Sequence, residues 1–136
     1  MNTFSIAGIF KGGAIGGIVA GIVNVGVYVV GAALGAKYLV VASATATPEQ
    51  VTAPRPFIMS VLFALVGASV LVGLVKLTPA RAWTIFLVVS GLFFASMIPG
   101  PFMVVPNDIP ASVAFEVMHI VGAICVIGGI SKFGRV

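Results

Sequence analysis

Four long apolar runs constrain this chain more than any other feature. They occupy about residues 12–35, 57–77, 82–98 and 112–130. A bilayer core about 30 Å thick is crossed by about 20 helical residues, so each run is long enough, or nearly so, to span it. The runs are apolar on every face, which suits spans and not amphipathic surface helices. Only 7% of residues are charged and 60% are hydrophobic, whereas soluble domains carry about 25% charge. Ten charged side chains cannot coat a water-exposed surface of this size. The composition excludes a soluble globular enzyme, and it is the opposite of that of a disordered chain. The expected architecture is an all-α membrane protein: one domain over 1–136, with four transmembrane helices in an up-down bundle.

The connections differ in kind. Residues 36–56 form a polar loop with Ser43, Thr45, Thr47, Pro48, Glu49, Gln50, Thr52 and Pro54. Residues 78–81 allow only a tight hairpin. Residues 99–111 hold four prolines with Asn107 and Asp108. Charge then sets the orientation. Lys11, Lys76, Arg81, Lys132 and Arg135 fall on one side of a four-span chain, and Lys37 and Arg55 fall on the other with Glu49 and Asp108. The positive-inside rule places both termini in the cytoplasm. Scattered beside apolar runs, these cations follow that rule and do not form a nucleic-acid footprint. Trp83, at the start of the third span, suits an interfacial anchor. The first run is too long for the h-region of a cleaved signal peptide. Cys125 stands alone, which argues against a thiol–disulfide relay.

Lipid tails give helices no hydrophobic reason to associate, so close backbone approach must supply the contact. Gly13, Gly17 and Gly21 recur at four-residue steps on one face of the first span, and Gly31 and Gly35 repeat that step further out. Gly12, Gly16 and Ala20 form a second small face. Ser60, Ala64 and Ala68 have the same spacing in span two, as do Gly91 and Ala95 in span three. These faces are expected to pack the chain's own helices. A homo-oligomer or a larger membrane complex is the other use for them.

Ionisable residues inside spans are costly and direct attention to function. Glu116 and His119 share a face of span four, and Asn24 and Tyr28 share a face of span one. At about 1.5 Å per residue, Asn24 lies about 18 Å and His119 about 16 Å from the cytoplasmic side, with Tyr28 and Glu116 about 24 and 21 Å in. The two pairs match in depth, so a polar seam joining Asn24 to His119 and Tyr28 to Glu116 is one expectation. The functional alternatives are a proton or cation site, a haem or pigment ligand at His119, or half of a Glu-x-x-His metal site. That last reading lacks further carboxylates within the bundle, so no metal and no resident cofactor are expected.

The segment Ala20-Gly21-Ile22-Val23-Asn24-Val25-Gly26-Val27-Tyr28, the Leu77-Thr78-Pro79 turn with Arg81, and Met118-His119 in the last span together carry a resemblance. The chain resembles a family of small four-helix bacterial membrane proteins, a domain of unknown function. The resemblance implies a bacterial inner-membrane protein and supports attention to Asn24 and His119. It implies no activity. Small multidrug exporters have the same span count but carry an essential glutamate in span one, which is absent here. The expected function is that of a non-catalytic accessory or structural protein packing through its glycine-rich helix faces. A small transporter or cofactor-binding protein using Glu116 and His119 is the alternative.

Overall fold

The computed structural model describes residues 4–41, 45–105 and 107–136. Ser43 of the polar loop and Pro106 of the third connection lie outside the described residues. Five helices and one small hairpin follow in the order α1 (Ile6–Ala33), β1 (Leu39–Val40), β2 (Glu49–Gln50), α2 (Pro54–Leu77), α3 (Ala82–Met97), α4 (Gly100–Val104) and α5 (Ile109–Gly134). Among the described residues, four helical stretches are long and apolar enough to cross a membrane, the third running from Ala82 through Val104. The chain is therefore a multi-pass, all-α membrane protein.

Helix α1 begins at Ile6, six residues before the expected start, because the Ser5 side chain caps it by accepting from the Gly8 N–H at 3.0 Å. Lys11 consequently sits within the helix instead of ahead of it. The 28 residues of α1 reach about 42 Å, longer than the hydrocarbon core. Its far end closes in a Schellman arrangement: Ala36 N–H bonds Gly31 O at 2.9 Å and Gly35 N–H bonds Ala32 O at 3.0 Å. That cap needs a left-handed residue, and Gly35 supplies it with φ 97°. Gly35 thus lies past the helix, and a Cβ there would have nothing within 4 Å. It terminates α1 and takes no part in helix packing, contrary to expectation.

Two stripes of α1, about 100° apart, face two different neighbours. A Cβ on Gly12 would lie 2.5 Å from the Gly129 carbonyl oxygen, and one on Gly8 or Gly16 would strike the carbonyl oxygen of Phe133 or Cys125. Gly13, Gly17 and Gly21 instead meet Ala68 at 2.9 Å, Ala64 at 2.7 Å and Phe57 at 2.6 Å on α2. The partner numbers fall as the α1 numbers rise, so both neighbours run antiparallel to α1. Gly31 meets neither neighbour's backbone; the Tyr38 hydroxyl and the Ala114 methyl lie over it.

Helix α3 packs chiefly on α2, across the tight turn in which Arg81 N–H bonds Thr78 O at 3.0 Å. Of its residues only Ala82 and Phe86 are buried; Leu87, Val88, Leu92 and Phe93 are exposed. At 16 residues α3 alone is about 24 Å long. Pro99 and Pro101 lack the N–H groups that would bond Ala95 and Met97, so the helix breaks there and resumes as α4. The expected polar loop contains the β1–β2 ladder, Leu39 paired with Gln50 and Val40 with Glu49.

Two apolar clusters result. One, at the loop end, gathers Ala36, Tyr38, Val51, Val105, Ala111, Ala114 and Met118. The other, at the terminal end, gathers Ile9, Ala68, Leu71, Ala82, Phe86 and Ile130.

Candidate functional site

Asn24, buried at 3% exposure, is the polar junction of the three packed helices. Its amide nitrogen donates to Ser60 Oγ on α2 at 2.9 Å and to the Met118 carbonyl on α5 at 3.2 Å. The Ser60 hydroxyl in turn donates a hydrogen bond to the Pro56 carbonyl at 2.7 Å. A carbonyl only accepts, so the amide must present nitrogen to Met118. Its oxygen, Oδ1, is then buried with no partner among the described residues.

The two bonds suggested by equal depth, Asn24 to His119 and Tyr28 to Glu116, do not form. Depth is matched, since Asn24 reaches Met118, one residue from His119. Rotation is not. Each helical step turns about 100°, so Met118 faces α1 while His119 points a quarter-turn away. His119 follows Ser112 by two turns and precedes Ile130 by three, which puts all three on one stripe. Ser112 bonds the Pro101 carbonyl of α4 at 3.4 Å, and Ile130 packs with residues of α2 and α3. That stripe therefore faces α2, α3 and α4. On it, between the two apolar clusters, His119 and Glu116 are half-buried, and His119 Nδ1 and Glu116 Oε1 are buried without a hydrogen-bond partner among the described residues.

Tyr28 belongs to a different assembly, at the loop end. Its hydroxyl donates to the Val51 carbonyl at 2.9 Å. The Tyr38 ring stacks on it with centroids 4.4 Å apart, and the Tyr38 hydroxyl donates to the Tyr28 carbonyl at 3.0 Å. Tyr38 has φ 53°, a costly conformation for a bulky residue. It is held there from several sides: its N–H bonds Asp108 Oδ2 at 3.2 Å, Val51 N–H bonds its carbonyl at 3.0 Å, and Phe115 meets its ring edge-on. Burial pushes the Tyr38 phenol above its ordinary value of 10.0, with Tyr28 and Asp108 adding to the shift. Asp108 also accepts from Lys37 N–H at 2.8 Å, and its other oxygen caps α5 by accepting from Ala111 N–H at 3.1 Å.

Ser60, Tyr38 and Asp108 were not singled out as polar partners by sequence reasoning. Asp108 ahead of Ile109-Pro110-Ala111 has the form of an N-cap before a proline-started helix, and that signal was available. Nothing in the sequence pointed to a left-handed tyrosine.

Among the described residues, no three of His, Cys, Asp or Glu converge as metal ligands. An apolar groove of about 650 Å³ runs between α1 and α5, lined by residues including Val23, Val27, Val30, Val113 and Val117. It opens on the side of α5 turned away from His119, so it does not offer that imidazole to a large flat ligand.

No curated protein and no solved structure matches the chain. A family model described as a family of unknown function (DUF6069) matches residues 5–135, which takes in all five helices and the hairpin. The chain belongs to that family.

Proposed function

We propose that this chain is a non-catalytic accessory protein of the bacterial cytoplasmic membrane, with both termini on the cytoplasmic side, acting by association and not by turnover. The observation that supports this reading best is the packing of α1. Its two glycine stripes lie against α5 and α2 at backbone distance, which suits a stiff unit and leaves little room for the rocking motions of a carrier. The charge distribution supports the orientation. Reporter fusions at Val136 and within the 45–52 loop test that part; a carboxy terminus outside the cytoplasm refutes it.

A second reading is a proton or cation site, and it is favoured by the buried, unpartnered atoms of Glu116 and His119. Unpaired polar atoms in a span are costly, and such residues commonly mark ion pathways. One experiment separates the two. Purified protein is placed in liposomes containing a pH dye, and a pH step is applied. Flux no greater than in empty liposomes favours the accessory role. Flux that is abolished by Glu116→Gln and by His119→Ala favours the second reading. The visible spectrum of the same preparation tests haem or pigment at His119.

A further inference from the structure

The end of the molecule where α1 begins and α5 ends is strongly cationic. Lys11, Lys76, Arg81, Lys132 and Arg135 are all exposed there. None is paired with an Asp or Glu: among the described residues the salt bridge is Arg55–Glu49, in the loop region, and Asp108 is occupied by backbone N–H groups of Lys37, Tyr38 and Ala111. Three of the five cations are gathered onto aromatic rings. Lys11 Nζ lies 5.4 Å and Lys132 Nζ 5.6 Å from the centroid of the same Phe133 ring. The Arg135 guanidinium carbon lies 5.1 Å from the Trp83 ring centre and 6.0 Å from that of Phe4.

These groups come from opposite ends of the sequence. Ser5 N–H bonds the Gly134 carbonyl at 2.9 Å, and Phe4 bridges Arg135. The Gly8–Phe133 contact brings α1 and α5 to backbone distance beside them. Two ammonium groups sharing one ring repel each other, and the weak negative face of a phenyl ring offsets little of that. Among the described residues no Asp or Glu side chain takes part in the arrangement. Its surroundings are apolar: exposed Ile6 and Phe10 flank Lys11 on α1, and Trp83 stacks between Phe4 and Phe86.

We propose that this rim binds the phosphodiester headgroup of an anionic phospholipid, with the phosphate held by Lys11 and Lys132, Arg135 beside it, and the acyl chains lying along the Ile6–Phe10 side of α1. A lipid meets both requirements at once, since one molecule brings the negative charge and the apolar tail to the bilayer boundary, where aromatic residues concentrate.

Trp83 is the single tryptophan and lies at the rim, so it reports occupancy directly. The full chain is reconstituted in phosphatidylcholine vesicles holding a minor fraction of phosphatidylglycerol. Bromine, a quencher, is carried on the acyl chains of one lipid or the other. Brominated phosphatidylglycerol should quench Trp83 well beyond its share of the bilayer. Each cation near a membrane surface strengthens attraction to anionic lipid roughly fivefold. Lys11→Gln with Lys132→Gln should therefore lower the preference on the order of twentyfold, while Lys37→Gln with Arg55→Gln leaves it unchanged. Unquenched Trp83 emission checks that each variant is folded. Equal quenching by the two lipids overturns the proposal. So does an equal loss in the Lys37/Arg55 variant, which means diffuse surface charge, or displacement of the lipid by millimolar inorganic phosphate, which means a site for a free anion.

Discussion

Gly12→Ala should be among the most damaging methyl additions this chain can receive. The added carbon would lie 2.5 Å from the Gly129 carbonyl oxygen, whereas carbon–oxygen contacts settle near 3.3 Å. Backbone atoms form both sides, so no side chain can swing aside. The helices must part by about 0.8 Å, and a gap of that size forfeits a quarter to a half of each dispersion contact across the seam. If the seam holds on the order of 50 heavy-atom contacts of about 0.1–0.2 kcal/mol, the loss is about 1–5 kcal/mol. Alanine recovers about 0.5–1 kcal/mol of that by its better helix propensity. The net expectation is a destabilisation of up to about 4.5 kcal/mol, centred near 2 kcal/mol. Gly26→Ala is the internal control: Gly26 lies in the same helix, with nothing within 4 Å of a Cβ, so it should be neutral or stabilising by about 0.5–1 kcal/mol. Both variants can be titrated with SDS in detergent micelles and followed by Trp83 emission and far-ultraviolet circular dichroism. Equal midpoints for the two would refute the claim that backbone proximity between α1 and α5 holds this bundle together.

Three further outcomes are expected in the same assay. Asn24→Ala removes donors to Ser60 and Met118; interhelical bonds of this kind average about 0.6 kcal/mol, so a loss of about 1 kcal/mol is expected, and no loss would mean the Asn24 junction is idle. Asp108→Ala removes the cap of α5 and the acceptor for Lys37 and Tyr38, so it should cost about 1–3 kcal/mol, with faster amide exchange at residues 37, 38 and 111 by hydrogen-exchange mass spectrometry. Tyr38 is a phenol whose folded-state pKa is raised, so it keeps its proton longer in the folded state than in the unfolded one. Its contribution is complete below pH 10 and falls as pH rises from there through the folded-state value. The decline in stability above pH 10 should be shallower in Tyr38→Phe than in the parent chain, and an unchanged slope would count against it.

The spans, their number and their alternating direction were legible because twenty-residue apolar runs permit little else. The four-residue spacing put Gly13 and Gly17 on one face of α1, and a Cβ on them would meet Ala68 and Ala64 of α2, a pairing the spacing alone did not specify. Depth was also legible, from helical rise alone. What escaped was rotation about each axis. Spans that are apolar all round carry no amphipathic stripe to say which side turns inward, so the expected partner of Asn24 was His119 and not the Met118 carbonyl that it meets. Gly129 meets Gly12 while Gly122 and Gly128 meet nothing within 4 Å, and the sequence offered no means to rank them. The loop-end assembly was missed for another reason. A two-residue strand pair and a left-handed tyrosine are imposed by tertiary contacts with Asp108, Tyr28 and Phe115, and local sequence does not encode them.

The backbone-to-backbone seam between α1 and α5 joins helices far apart in the sequence, and that has a consequence for biosynthesis. The Gly8, Gly12 and Gly16 stripe is made well before the segment that covers it, which ends at Gly134. At about 5–20 residues per second, roughly 5–25 s of translation separates the two. Throughout that interval α1 stands in the bilayer with an unoccupied groove that any passing small-residue helix could enter. The α1 seam thus closes only once α5 is inserted, and a nascent chain stalled before α5 would be prone to mispairing.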